Sequence, residues 1–369
     1  MSDMVLTYQQ LRTLFDVVDE NLAQSDKCFV ELDTFGTDDV GDIVRLINTF
    51  AREHLGCAID GCHFYNSSVG VACGVRLADG RSIVIKARPP ADVNPDLSLD
   101  REALQQMCDV LQWLSRLGYP CAEPIVGPTP LGPGLAGLAT AEGLLSDGHR
   151  GDGFNSSVRR AIAAGLAELV DLLRSYSGRV DRLRRFGQVL NTSGRLYPVP
   201  HSKLFDFETT SEGAEWIDDL VRCVRTEATI HRQKLPDSPV LGHADWRVEH
   251  LRFDYEPRIV ATYDWDSLAV RPEPELVGIS AHGFTADWTL NNVRRIPGPE
   301  DILAYVAEYE RARGRTFSVS ERRVVFAPCV YWIAYGARCE HARDSDTREY
   351  ADDTWAHLFR HHAEALVRT

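Results

Sequence analysis

Leu241-Gly-His-Ala-Asp-Trp-Arg-Val-Glu-His250 and, shortly after it, Ile259-Val-Ala-Thr-Tyr-Asp-Trp-Asp266 carry most of the chemistry in this chain. In the first stretch Asp245 stands two residues after His243, and His250 lies five residues past Asp245. The intervening residues read as a strand, a turn and a second strand, after which comes Asp264. Transfer of a phosphoryl group needs such a set. One carboxylate orients the attacking hydroxyl, and a second, with another ligating group, holds a divalent ion against phosphates. His243, Asp245, His250 and Asp264 also read, as a separate alternative, as four ligands of a hydrolytic metal centre.

Upstream, a second set of residues is ordered for nucleotide binding. Cys62–Tyr65 and Val69–Leu77 read as strands around Asn66-Ser67-Ser68. Ala78-Asp-Gly-Arg81 is a turn with Asp-Gly at its centre. Ser82-Ile-Val-Ile-Lys86 is a β-branched run ending in a lysine. Asp100-Arg-Glu102 then opens a helix whose Leu104, Met107, Cys108, Leu111 and Leu114 follow helical spacing.

Together these residues resemble the aminoglycoside phosphotransferase family, small-molecule kinases with the protein-kinase fold. His243-Ala-Asp245 and Tyr263-Asp-Trp-Asp266 fill the family's H-G-D-x-x-x-x-N and I-D-W-[ED] texts. Tyr263–Leu268 and Tyr335–Ala342 also resemble actinobacterial members of unassigned substrate. The resemblance implies an α+β, bilobal, protein-kinase-like fold, with a small mainly β N-lobe, a larger mainly α C-lobe and here a helical N-terminal extension. It implies Asp245 as the residue that orients the acceptor hydroxyl. Arg247 either neutralises developing charge or pairs with a nearby carboxylate. Lys86, paired with Glu102, would contact the nucleotide phosphates. Ser67 and Ser68 either cover those phosphates or form a plain hairpin turn. Leu138–Glu142, with Thr140 and Glu142, would be the hinge whose backbone reads the purine. Asp264 would hold the metal and Asp266 would assist it. His243 braces the loop.

Two positions depart from the family. His250 stands where Asn is usual. Mg²⁺ prefers oxygen ligands, and imidazole suits other divalent ions. Three outcomes stay open: Asp264 holds most of the metal, Mn²⁺ replaces Mg²⁺, or activity is reduced or lost. The second departure is Arg271-Pro-Glu-Pro-Glu-Leu-Val277, where Glu275 replaces a structural Asp.

The expected cofactors are ATP or GTP with Mg²⁺ or Mn²⁺. The acceptor is a hydroxyl-bearing small molecule: an antibiotic, or a metabolite of the sugar, choline or homoserine type. A catalytically weak nucleotide-binding pseudokinase is a further alternative. Net charge is −14, from 40 basic and 54 acidic residues, which argues against nucleic acid as a partner. It suits a cationic acceptor, or solubility alone. No apolar run is long enough for a membrane span, and Met1-Ser-Asp-Met-Val lacks a signal-peptide start. Nine scattered cysteines give no disulfide or zinc spacing. A reduced cytoplasmic protein, monomer or homodimer, is expected.

The chain divides at about residues 60 and 138. Residues 1–60 read as the helical extension, where Thr37-Asp-Asp39 caps a helix carrying Val40, Ile43, Val44, Ile47 and Phe50. Residues 61–138 read as the nucleotide lobe, ending in an irregular Pro/Gly-rich stretch from Pro124 to Gly137. Residues 139–369 read as the larger lobe. In it, Tyr176–Glu212 reads as a helix and loop insertion. Arg179, Arg182, Arg184 and Arg185 there form either a solvated helix face or a phosphate patch. Glu340–Asp353 is an acidic run that faces a cationic acceptor or water, and Tyr331–Tyr335 reads as buried helix.

Overall fold

The computed structural model describes residues 12–24, 29–93, 99–183, 194–345 and 349–369, except 133, 136, 201, 203, 237 and 292. Residues 1–11, Pro133, Arg184, Arg185 and the 346–348 part of the acidic run lie outside the described residues. Two compact units emerge, one up to Asp147 and one from Gly148 onward.

The first unit is built on a five-stranded antiparallel sheet, in the order β1-β2-β3-β5-β4. Its strands are β1 (Ile59–Ser67), β2 (Val71–Leu77), β3 (Ser82–Arg88), β4 (Pro124–Pro130) and β5 (Leu138–Gly143). The β2–β3 turn closes as its Asp-Gly text requires. Gly80 takes φ +91, which L-residues with a Cβ rarely adopt, and Asp79 Oδ1 accepts from Arg81 N at 3.1 Å.

Helices α1 (Leu14–Gln24), α2 (Phe29–Phe35) and α3 (Val40–His54) precede the sheet and share its core. Asp39 caps α3 by accepting from Asp42 N at 2.9 Å, and Ile43, Ile47, Phe50 and Ala51 are buried at helical spacing. The expected extension is therefore packed as part of this unit. Helix α4 (Arg101–Arg116) is capped by Asp100 and buries all five expected apolar residues.

Two sequence expectations need correction here. The Pro/Gly-rich stretch is not irregular throughout, because Pro124–Pro130 forms β4. This is an edge strand with register breaks at Pro124/Val126 and Val126/Thr129, where missing N–H donors cost little. Leu138–Glu142 is not a hinge loop but interior strand β5, paired on one side with β3 and on the other with β4. Its backbone groups are used by the sheet. Strand β5 also carries the first unit past the boundary expected at residue 138.

The second unit is mainly helical: α5 (Ser156–Leu173), α6 (Glu215–Arg232), α7 (Glu273–Gly283), α8 (Pro299–Ala312), α9 (Val319–Arg343) and α10 (Trp355–Arg368). Two short antiparallel pairs interrupt it: β6 (Val240–His243) with β9 (Leu268–Arg271), and β7 (Leu251–Phe253) with β8 (Ile259–Thr262). Helix α9 buries Tyr331, Ile333 and Ala334, and α7 is buried on almost every side. Glu275 in the first turn of α7 is buried and pairs with Arg232 at 3.2 Å. Among the described residues, Tyr176–Glu212 contains no helix, and no helix is long and apolar enough to cross a membrane.

Helix α9 starts with a capping box. Ser318 accepts from Glu321 N at 3.3 Å, and Glu321 accepts from Ser318 N at 2.7 Å. Arg315 adds bonds of 2.6 and 2.9 Å to the same carboxylate. These bonds, that of Arg315 foremost, hold Glu321 far below its ordinary 4.5, at about 2. A depressed carboxylate stabilises the fold fully above its unfolded pKa and loses that contribution as pH falls through the folded one. Glu321→Gln should therefore lower Tm at neutral pH, with the gap to wild type narrowing below pH 4.5. A pH-independent gap in thermal melts would contradict this.

Candidate active site

The site in the second unit starts where β6 ends. His243 is fully buried and sits edge-on between Trp246 and Trp265, with ring centroids at 5.5 and 5.4 Å. Its Nε2 lies 3.1 Å from the Tyr263 carbonyl, so Nε2–H donates, and its Nδ1 accepts from Asp245 N at 3.2 Å. Both nitrogens are engaged in one neutral tautomer. Burial, and next the neighbouring His250, push its pKa down to about 4. His243 thus ties the Asp245 loop to the strand end at Tyr263. That leaves it no lone pair for a metal, and the four-ligand hydrolytic reading falls.

The loop is anchored from beneath. Trp246 Nε1 donates to Ile162 O on α5 at 2.8 Å, and Ser280 Oγ on α7 donates to Trp246 O at 2.6 Å. Each buried bond contributes about 1 kcal/mol and orients the segment. Asp245 itself is one-fifth exposed. Arg247 Nη1 donates to Asp245 Oδ1 at 2.6 Å, and Arg247 Nε donates to Glu249 Oε2 at 3.0 Å. Arg247 thus pairs with two nearby carboxylates, those of Asp245 and Glu249. Burial raises the Asp245 pKa, Arg247 pulls it back and Asp264 adds to the rise.

After the 3-10 turn Val248–His250, the chain runs through β7 and β8 to Asp264. Asp264 has φ 58 and ψ 49, and among the described residues it alone combines a side chain with positive φ. Left-handed backbone costs roughly 1–2 kcal/mol, less for Asp. The surroundings impose it: Tyr263 N donates to His250 O at 2.9 Å, and Ser267 Oγ donates to Asp264 O at 3.1 Å. The result places Asp264 Oδ2 3.6 Å from His250 Nε2.

Asp245, His250 and Asp264 each offer a ligand atom, all within 4.8 Å of one another. Two carboxylates and an imidazole suit a divalent ion. Asp266, expected to assist, is not a member of this group, whereas Asp245 is. Ser267 and Glu249 were missed from sequence. Both lie inside the quoted motifs, but nothing in residue type separates a bracing serine or glutamate from a solvated one.

In the first unit, Lys86 Nζ pairs with Glu142 Oε1 at 2.9 Å, and both side chains are largely buried. The sheet register explains it. Lys86 lies opposite Thr140, so Glu142, two residues on, shares its face. Thr140 is buried and accepts from Arg88 Nη1 at 3.0 Å. Glu142 is thus an acidic partner of Lys86 that the sequence reading did not name, while Glu102, the partner expected from sequence, stands in the first turn of α4. Ser67 ends β1 rather than forming the turn, and exposed Ser68 donates its N–H to Gly70 O at 2.9 Å.

Comparison with known proteins follows the same lines. No curated protein matches the chain by sequence. An amicoumacin kinase in complex with AMP-PNP, Ca²⁺ and Ami superposes with a TM-score of 0.57 at 12% identity, over 83% of this chain and 87% of that one. A thermostable mutant of aminoglycoside phosphotransferase APH(4)-Ia, in a ternary complex with ADP and hygromycin B, gives 0.53 at 14%, over 87% and 98%. These likenesses show the kinase-like α+β fold. The sequence profile of the phosphotransferase enzyme family matches residues 76–317, which span Lys86, Asp245, His250 and Asp264. The chain belongs to that phosphotransferase enzyme family.

Proposed function

We propose that this phosphotransferase moves the γ-phosphoryl group of ATP or GTP to a hydroxyl of a small molecule. The observation that carries the reading is Asp245, held by His243 and Arg247 beside His250 and Asp264. Arg247 occupies Oδ1, and Oδ2 receives the acceptor hydroxyl. Positioning does most of the work in such a transfer, and Asp245 takes the proton late. Burial makes its carboxylate a better proton acceptor than an exposed one. His250 and Asp264 are the residues that would hold the divalent ion, whose chemistry there is neutralisation of charge on the phosphates.

Lys86 is the phosphate contact of the first unit, kept in place by Glu142. Lys86→Ala and Glu142→Gln should each reduce stabilisation by nucleotide, and the double variant should lose less than the sum, since contacting residues couple by about 0.5–3 kcal/mol. Strictly additive losses in nucleotide-dependent thermal shift would show that the pair does not act on the phosphates as a unit. Glu102→Gln in the same assay separates the exposed α4 carboxylate from this role.

For the acceptor we propose a hydroxyl-bearing antibiotic first, with sugars, choline and homoserine as the metabolite alternatives. The neighbours bound to amicoumacin-type and hygromycin ligands support testing antibiotics first, and the charge of −14 suits a cationic acceptor. A screen of these acceptors with labelled ATP and GTP tests the proposal. Label confined to free phosphate across the panel would count against it.

A further inference from the structure

We infer that His250 is a direct nitrogen ligand of the divalent ion, and that the site prefers Mn²⁺ or Co²⁺ to Mg²⁺. This rests on the phosphotransferase reading only for the presence of an ion.

His250 Nδ1 lies 2.8 Å from the backbone carbonyl of Asp245. A carbonyl only accepts, so Nδ1 carries the proton and Nε2 is left with its lone pair. Nε2 is the nitrogen that faces Asp264 Oδ2, at 3.6 Å. That separation is longer than a hydrogen bond and suits two ligands sharing one ion. A ring nitrogen bonded to a main-chain carbonyl, with the other left for metal, is the usual arrangement of ligating histidines. The ring is buried, which holds it in this orientation. His243 cannot substitute, because both its nitrogens are engaged.

Selectivity follows from the donor set. Mg²⁺ is hard, gives up water reluctantly and favours oxygen ligands. Imidazole binds later first-row ions more strongly, while Mn²⁺ and Co²⁺ still accept carboxylate and phosphate oxygens. One nitrogen among oxygens therefore penalises Mg²⁺ relative to its competitors.

The test is pulsed EPR on the full chain with Mn²⁺, alone and with the methylene-bridged ATP analogue, which brings no bridging nitrogen. Wild type should show nitrogen hyperfine coupling to bound Mn²⁺. His250→Asn should bind Mn²⁺ without it, and Mg²⁺ should then displace Mn²⁺ at an at least ~10-fold lower excess, the low end of what loss of even an outer-shell partner costs. His250→Gln is the second variant should the first fail to fold. Bound Mn²⁺ without nitrogen coupling in wild type, or coupling that survives both substitutions, overturns the inference and leaves the phosphotransferase reading standing. No Mn²⁺ bound under either condition overturns the inference together with the proposed metal site.

Discussion

Asp245→Asn is expected to lower turnover by at least ~100-fold, within the range for loss of a positioned general base. The substitution is nearly isosteric. Asn can still accept from Arg247 Nη1, so the loop bonds through His243, Trp246 and Ser280 should persist. What disappears is the negative charge that orients the acceptor hydroxyl and later takes its proton. Nucleotide-dependent thermal stabilisation, proposed to rest on Lys86 in the first unit, should stay close to wild type. Near-wild-type turnover in this variant would remove Asp245 from the mechanism. Loss of stabilisation together with turnover would instead mean that Asp245 supports nucleotide binding.

The second large effect is structural and tests the frame that carries the loop. Helix α7 supplies Ser280 to Trp246 O and packs closely on α9. At Gly278 the two helices approach so closely that a Cβ would drive into the carbonyl oxygen of Val325, a backbone atom that cannot rotate away. Gly278→Ala should cost about 3 kcal/mol, the upper end for overpacking, seen as a fall in Tm or in soluble yield. Gly283→Ala on the same helix is the control. Its nearest neighbour would be Trp355 Cη2 at 4.0 Å, so helix propensity should win and leave Tm unchanged or up to about 1 kcal/mol better. Equal melting temperatures for the two variants would show that the α7–α9 approach is not what fixes this unit.

Sequence patterns were informative where local chemistry decides the outcome. The Asp39 and Asp100 caps, the Asp79-Gly80 turn and the apolar faces of α3 and α4 depend on neighbours in sequence and form as the text implies. His243, Asp245, His250 and Asp264 were identifiable because spacing within one loop and one short strand pair brings them close. Long-range register was not readable. The partner of Lys86 depends on β3 pairing with β5, a strand more than fifty residues away. Spacing along the chain points to Glu102 on the next helix, whereas the placement of Glu142 on the lysine's face is a property of the sheet. Prolines concealed β4 for a related reason: an edge strand tolerates them, and edge position is a property of the whole sheet. Arg247 suits either charge neutralisation or an ion pair in sequence, because a guanidinium does both, and in the structure Asp245 and Glu249 both bind it.

Transfer of phosphate to a small-molecule hydroxyl is the central claim. Mass spectrometry of the acceptor panel, incubated with ATP or GTP and with Mg²⁺ or Mn²⁺, tests it most directly. With wild type an acceptor should gain one phosphoryl group, and with Asp245→Asn it should fail to do so. An unmodified panel, from a chain that nonetheless shows nucleotide-dependent stabilisation, would contradict it and make the protein a nucleotide-binding pseudokinase.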